Sequence, residues 1–479
     1  MADLLITNAT IIPVDPARRI IENGAIAIEG RHIVALGPNE EITRDHDAPR
    51  SIDAEGKVAI PGLIDAHAHA GHGLIKTMSM HDGDAWEALC GSVYTTGSTP
   101  EFWYAESRLA ALERIRFGVT CGVSLLGGGD TIMRTDDPAY GDAHMEGVRS
   151  VGGRDVMAVG PTRAPHPLKY ADGGNNPREV DFDRQLETSL DLLTRWHGTS
   201  EERLNIALLY PVLRDEHERN MAAADYADAC AQAQRVARAA REAGVVFTQD
   251  GHQRGSIRRA SALDLLGPNA LLSHAIDLHE DEIELCAQTG TSIAHNPSAV
   301  ASIMGRCPAI ELMDRGVTVA LGSDATAPDR SGDMFRHMQQ AMHYHRRHFR
   351  DPGILPPGRA LEMATIEGAR ALGMEDRIGS LEPGKLADVV LVDMRRPHLS
   401  PPNMAVHRLV CFANGNDVDT VIVGGEVVLE NGRPCRVSED DILDDAAREA
   451  DLMIDRTDSR AALQVPPGFW SAQRYGGRA

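Results

Sequence analysis

Two histidines separated by one residue, His67 and His69, close the stretch Asp65-Ala66-His67-Ala68-His69 directly after an apolar run. Side chains at i and i+2 of an extended segment share a face, so this spacing can bring two imidazoles to one divalent ion. An isolated His-x-His is a weak signal, because core and surface histidines are commoner. Here, however, polar residues also end several later apolar runs: Gln249, Asp250 and His252, then His274, His295 with Asn296, and Asp324. Imidazole and carboxylate groups are the ligands of ions that lower the pKa of bound water toward ~7 and so supply hydroxide at neutral pH. The residue types therefore point to a site for a divalent ion. Asp324 has a second reading as a helix N-cap, and His252 as a residue that only orients a ligand.

The elements that must position these groups alternate. Between residues 61 and 375, short apolar runs (GLID, VTCGVSLL, LNIALLY, VVFTQ, ALLSH, TSIAH, VTVALG) alternate with helical stretches such as EFWYAESRLAALERIRFG and YADACAQAQRVARAAREAG. This texture predicts a parallel α/β barrel of the TIM type, whose catalytic groups project from the C-terminal ends of the strands. A doubly wound sheet shares the texture, but no GxGxxG follows the first strand. Residues 1–60 and 376–437 instead read as short strands with Gly and Asn-Gly turns, which predicts one small composite β-sandwich built from both chain ends. The acidic stretch at the start of 438–479 predicts a solvent-exposed helix, followed by a tail.

Composition narrows the class. A hydrophobic share of 42% and a charged share of 25% are globular usage and exclude a fibrous or disordered chain. No run approaches the ~18 apolar residues of a membrane span, and the N-terminus carries no export pattern. The excess of 70 acidic over 48 basic residues argues against nucleic acid or an anionic membrane as partner. The seven cysteines form no CxxC pair, which fits reduced thiols in a cytoplasmic protein rather than a disulfide scaffold.

In PGLIDAHAHA (61–70), LLSHAIDLHEDEIELCAQTGTSIAHNPSA (271–299), GVTVALGSDA (316–325) and ATIEGARALGMEDRIGSLEPGKLADVVLVD (364–393), the chain resembles the amidohydrolase superfamily, in the branch of cytosine and guanine deaminases and triazine hydrolases. The opening strands match as well, so the resemblance covers nearly the whole chain. It implies a metal-dependent hydrolase on a TIM barrel with a composite β-sandwich. Carried over, His67 and His69 match metal ligands after the first strand. Asp324 matches the carboxylate after the eighth, which binds the ion and takes a proton from the attacking water. His274 matches the histidine that hydrogen-bonds that water or the substrate. No lysine stands in the fourth strand to bridge two ions, so one divalent ion is expected, zinc first, with iron, cobalt or manganese as alternatives.

The departure falls after the fifth strand. The family offers a histidine ligand there and a glutamate three residues on. Direct alignment puts Gln249 in the ligand position and His252 in that of the glutamate, whereas a shift of one residue makes Asp250 the ligand. Without the carboxylic acid that protonates a ring nitrogen, heterocycle deamination is put in doubt. The expected activity is therefore hydrolysis of a non-peptide C–N bond (amide, urea, carbamate or thiocarbamate-like), in outline similar to phenylurea and molinate hydrolases, with His252 as the leaving-group acid. Deamination of a purine, pyrimidine or triazine is the alternative, and a non-catalytic scaffold the remote one. His72, Trp86, His295 and Asn296 are candidate substrate contacts, and 127–142 and 161–177 are candidate loops over the site. The resemblance implies a homodimer or larger homo-oligomer, with a small molecule as the only other partner.

Overall fold

The computed structural model describes residues 2–80, 82–299, 304–324, 326–465 and 469–470. Eight parallel strands run in sequential order around a barrel: β1 (Leu63–Asp65), β2 (Val119–Leu125), β3 (Arg154–Val159), β4 (Leu204–Leu209), β5 (Phe247–Gln249), β6 (Ala270–Ser273), β7 (Ser292–His295) and β8 (Val319–Leu321). The Ala66 N–H donates to the Leu321 carbonyl at 2.9 Å and ties the end of β1 to that of β8. All eight strands are buried along their whole length, as strands covered by helices must be. Polar side chains that leave their ends therefore face a central mouth.

A second, nine-stranded sheet joins the chain ends, as expected. Lys57–Pro61 and Val389–Asp393 pair antiparallel, Val390 opposite Ile60, and bring the N-terminal and C-terminal halves together. This sheet has its own apolar core, with Ile6, Ile26, Ile28, Leu391 and Ile422 fully buried. The acidic C-terminal helix, Glu439–Thr457, departs from the solvated reading. One face, including Ile442, Ala446, Met453 and Ile454, is buried and packs on helix Pro100–Arg116, and Arg108 pairs with Asp445 at 2.8 Å. Apart from buried Glu449, most of its charges occupy the other face, which composition alone could not separate. No helix among the described residues is long and apolar enough to cross a membrane.

Candidate metal centre

The end of β1 is anchored before it offers any ligand. The Asp65 carboxylate accepts from the Ser323 N–H (2.8 Å) and hydroxyl (2.7 Å), fixing the loop after β8 against β1. Arg114, from helix Pro100–Arg116, lies 3.4 Å from Asp65 and 3.1 Å from Asp155, so the buried carboxylates are paired. Gly322 is required by space: a Cβ there would meet the His67 carbonyl at 2.9 Å. Two residues on, Asp324 has φ 59°, and His274 after β6 has φ 69°. Left-handed backbone at non-glycine residues costs on the order of 1–3 kcal/mol each and persists only where the surroundings fix it. At Asp324 they do, since its N–H donates to the His67 carbonyl at 2.9 Å.

These turns converge five side chains. His67 Nε2 lies 3.1 Å from Asp250 Oδ1 and 3.4 Å from Asp324 Oδ1. His69 Nε2 lies 3.4 Å from Asp250 Oδ2 and 3.3 Å from Asp324 Oδ1. His274 Nε2 lies 3.0 Å from Asp250 Oδ1 and 3.6 Å from Asp324 Oδ1. Ligands set tetrahedrally at about 2.1 Å from an ion stand about 3.4 Å from one another, which is the spacing found. The ligand atoms of His67, Asp250, His274 and Asp324 all fall within 4.8 Å of each other, and His67 Nε2 is buried without a hydrogen-bond partner. His69 Nδ1 donates to the Gly127 carbonyl at 2.8 Å, which turns its Nε2 lone pair to the cluster. The donor set fits a divalent cation.

Electrostatics agree. Burial disfavours charged imidazoles, yet Asp250 and Asp324 outweigh it and hold His67 at about 9 and His69 at about 10. For both carboxylates burial works upward, but the neighbouring histidines, with Arg330 foremost at Asp324, hold them well below the usual range.

The fifth-strand position is filled by Asp250, the alternative one residue beyond Gln249. The Gln249 amide turns away and donates to the carbonyls of Tyr210 and Pro211, each at 3.2 Å, because alternation on β5 points it to β4. His252 departs from its expected role as an acid. It is fully buried, and its Nδ1–H donates to Ser256 Oγ at 2.9 Å. Burial, then Arg214, lowers it to about 3, so the ring is neutral at pH 7.

A cavity of about 580 Å³ opens over the cluster, lined by His69, His72, Trp86, Asp250, His274 and Asp324 among others. His72 accepts from or donates to the Tyr94 hydroxyl at 2.8 Å and stacks on His69, with Trp86 edge-on to it. Gly128–Asp130 and Ile132, from the loop 127–142, line the cavity, whereas no residue of 161–177 does. His295 and Asn296 lie behind His274, where His295 meets His345 Nε2 at 3.2 Å and the Asn296 amide lies 3.4 Å from His274 Nδ1. Arg330 and Arg214 also line the cavity, and the residue-by-residue reading missed both. Their only signal was a basic residue in a loop after a barrel strand.

Barrel, composite sheet and convergent His/Asp centre together define a metal-dependent hydrolase. Residues 58–428 match the Amidohydrolase family, and the chain belongs to it. It is accordingly an enzyme that hydrolyses non-peptide carbon–nitrogen bonds. It is 30% identical over 455 residues to 5-methylthioadenosine/S-adenosylhomocysteine deaminase of Syntrophobacter fumaroxidans, covering 92% of this chain and 96% of that one. It is 28% identical to 5'-deoxyadenosine deaminase of Methanosarcina mazei over 469 residues, 96% of this chain and 100% of the relative. Among solved structures, a zinc-bound adenosine deaminase from Xanthomonas campestris superposes with a TM-score of 0.80 at 23% identity, covering 94% and 98% of the two chains. Atrazine chlorohydrolase from Arthrobacter aurescens, complexed with zinc, gives 0.77 at 22%, covering 93% and 100%.

Proposed function

We propose that the chain hydrolyses a small molecule at an amide, urea, carbamate or thiocarbamate-like carbon, with one divalent ion, zinc first, held by His67, His69, Asp250 and Asp324, and with His274 beside it. The observation that carries this reading is the fifth-strand arrangement: Asp250 joins the cluster, and two residues on stands a buried, neutral His252. Protonating a heteroaromatic ring nitrogen needs an acid in reach of the substrate, and His252 is not among the residues lining the cavity. An acyl carbon needs no such acid. An ion held by these residues would lower the pKa of water at the site. Asp324 would take a proton from the attacking water as the new C–O bond forms. His274 hydrogen-bonds the water or the carbonyl oxygen. Asp324 then returns the proton to the departing nitrogen as the C–N bond breaks, which moves the leaving-group proton from His252 to Asp324.

A second reading rests on the relatives named as deaminases of adenosine derivatives, one of them 30% identical over nearly the whole chain. The two separate on a substrate panel assayed with metal-loaded protein. Amine release from aryl ureas or carbamates, with 5'-methylthioadenosine, S-adenosylhomocysteine and 5'-deoxyadenosine untouched, supports the first. Ammonia release from the nucleosides alone overturns it. Metal analysis of purified and reloaded protein should return about one equivalent per subunit. A cytoplasmic homodimer or larger homo-oligomer fits this reading, and sedimentation tests the oligomer.

A further inference from the structure

His72 stands three residues beyond His69, in the short turn His72–Leu74, and is 4% exposed. Its Nδ1 lies 2.8 Å from the hydroxyl of the buried Tyr94. A phenol is a stronger acid than a neutral imidazole, and an imidazole nitrogen is a stronger base than a phenol oxygen. The O–H therefore donates and Nδ1 accepts. The hydrogen bond made at one ring nitrogen sets the state of the other, so His72 carries its proton on Nε2. Nε2 has no hydrogen-bond partner among the described residues, yet it is not sealed off, and the ring lines the cavity. The imidazole stacks on that of His69, centroids 4.9 Å apart and planes 19° apart, whose Nε2 faces Asp250 and Asp324. An N–H donor is thus set beside the cluster rather than in it.

The donor is held from several sides. Tyr94 lies in the π-helical turn Val93–Gly97, a geometry that recurs at functional sites. The fully buried Arg134 donates to the Tyr94 carbonyl at 3.1 Å and to the Thr95 carbonyl, and its other arm to the Ala171 carbonyl at 2.7 Å. Gly71, at φ 90°, makes room for the phenol ring, since a Cβ there would meet Tyr94 Cε1 at 2.6 Å. On the His72 side, the Gly73 N–H donates to the buried Glu106 carboxylate at 3.0 Å, and Trp86 stands edge-on to the imidazole at 5.3 Å. Ring, tautomer and turn are all fixed before a substrate arrives, so the donor needs no reorganisation during the reaction.

We propose that His72 is a catalytic residue whose Nε2–H donates to the oxygen of the attacked acyl group as negative charge gathers there, and that Tyr94 is the positioning residue that fixes its tautomer. A hydrogen bond of this kind strengthens as the charge develops, so it acts on the transition state more than on the bound substrate. His274, after β6 and so three strands round the mouth from β1, is then left to the attacking water. The inference rests on the acyl-type reading for the oxygen it names, since the carbon attacked in an aminopurine bears none.

The test uses methyl N-phenylcarbamate, with a planar acyl carbon, and methyl N-phenylphosphoramidate, whose tetrahedral phosphorus holds an anionic oxygen where the charge would develop. Both are given to metal-loaded wild-type protein and to His72→Phe, His72→Gln and Tyr94→Phe, with the metal content of each measured. Turnover is read by aniline release and phosphoramidate binding by calorimetry. In His72→Phe, kcat should fall about a hundredfold with KM changed less than about threefold, and the phosphoramidate should bind more weakly by a similar factor. His72→Gln keeps an N–H and should recover part of both. Tyr94→Phe should fall between the wild type and His72→Phe, because the proton is then free to sit on either ring nitrogen. Loss of metal in His72→Phe would make His72 a prop for His69 and overturn the proposal. So would a raised KM with unchanged kcat, which marks a wall contact, or phosphoramidate binding that is absent from the wild type or indifferent to His72. If the wild type releases no aniline and turns over only nucleosides, the acyl-type reading fails by itself. The phosphoramidate then judges the donor alone: a loss of affinity in His72→Phe keeps it, and no loss removes it.

Discussion

Two groups of buried histidines lie on either side of His274, and their protonation is opposite. In front, His67 and His69 face Asp250 and Asp324 and are held at about 9 and about 10. Behind, His295 and His345 face each other at 3.2 Å; burial and mutual repulsion push His295 well down, and burial with Arg306 takes His345 to about 4. His252 belongs with the second group. Burial alone makes an imidazole neutral, and only a converging pair of carboxylates reverses that. The contrast separates a place prepared for a cation from a place packed with neutral polar rings, although both are equally deep.

The largest way to break the contrast is to remove a carboxylate. Asp324→Ala should cut turnover by about a thousandfold or more, since Asp324 both ligates and moves the proton. Circular dichroism should show the fold intact. Unchanged activity in a folded variant would sink the mechanism.

Next is the fifth strand. Asp250→Ala should lower the metal content well below one equivalent per subunit and take activity with it. Gln249→Ala should keep its metal but lose about 1–2 kcal/mol of stability, because the carbonyls of Tyr210 and Pro211 lose their donor. Metal analysis with urea unfolding of both variants decides between the two positions, and the reverse pattern would place the ligand at Gln249.

That ambiguity marks the limit of what the residues alone disclose. The barrel, the composite sheet and the placement of His67, His69, His274 and Asp324 at strand ends were legible, because strand ends are announced by apolar runs and by period-two alternation. At β5 the run is three residues long, and whether Gln249 or Asp250 faces the mouth turns on one step of alternation followed by Gly251 at φ 89°. His252 misled for a related reason: its chemistry depends on burial and on Ser256, which spacing does not report. Arg330, Arg114 and Asp65 act through contacts between distant elements, so a local pattern carries no sign of them.

The pH dependence of stability sharpens the contrast, because the two groups must act in opposite directions. In metal-free protein the folded state holds protons on His67 and His69 that the unfolded chain releases above about 6.5. Their contribution is full below that pH and is lost as pH rises through about 9 and about 10. Urea midpoints of chelated protein should therefore fall from pH 7 toward pH 10. Metal-loaded protein should not share this fall, since binding displaces those protons. Equal slopes in the two forms would mean that the front histidines are not held by their carboxylates.

The smallest effect lies behind His274. His345 drops from the ordinary 6.5 to about 4, so on acidification the unfolded chain takes up its proton first. Its contribution is present above about 6.5 and is lost as pH falls toward about 4, the opposite sense to the front pair. At pH 5, unfolding of wild-type protein should take up about one proton more than unfolding of His345→Gln, read from the slope of stability against pH. The amide keeps a hydrogen-bonding group opposite His295 without the titration. An unaltered slope would assign the acid sensitivity to His295 or His252, and would leave the neutral group defined by burial rather than by the His295–His345 contact.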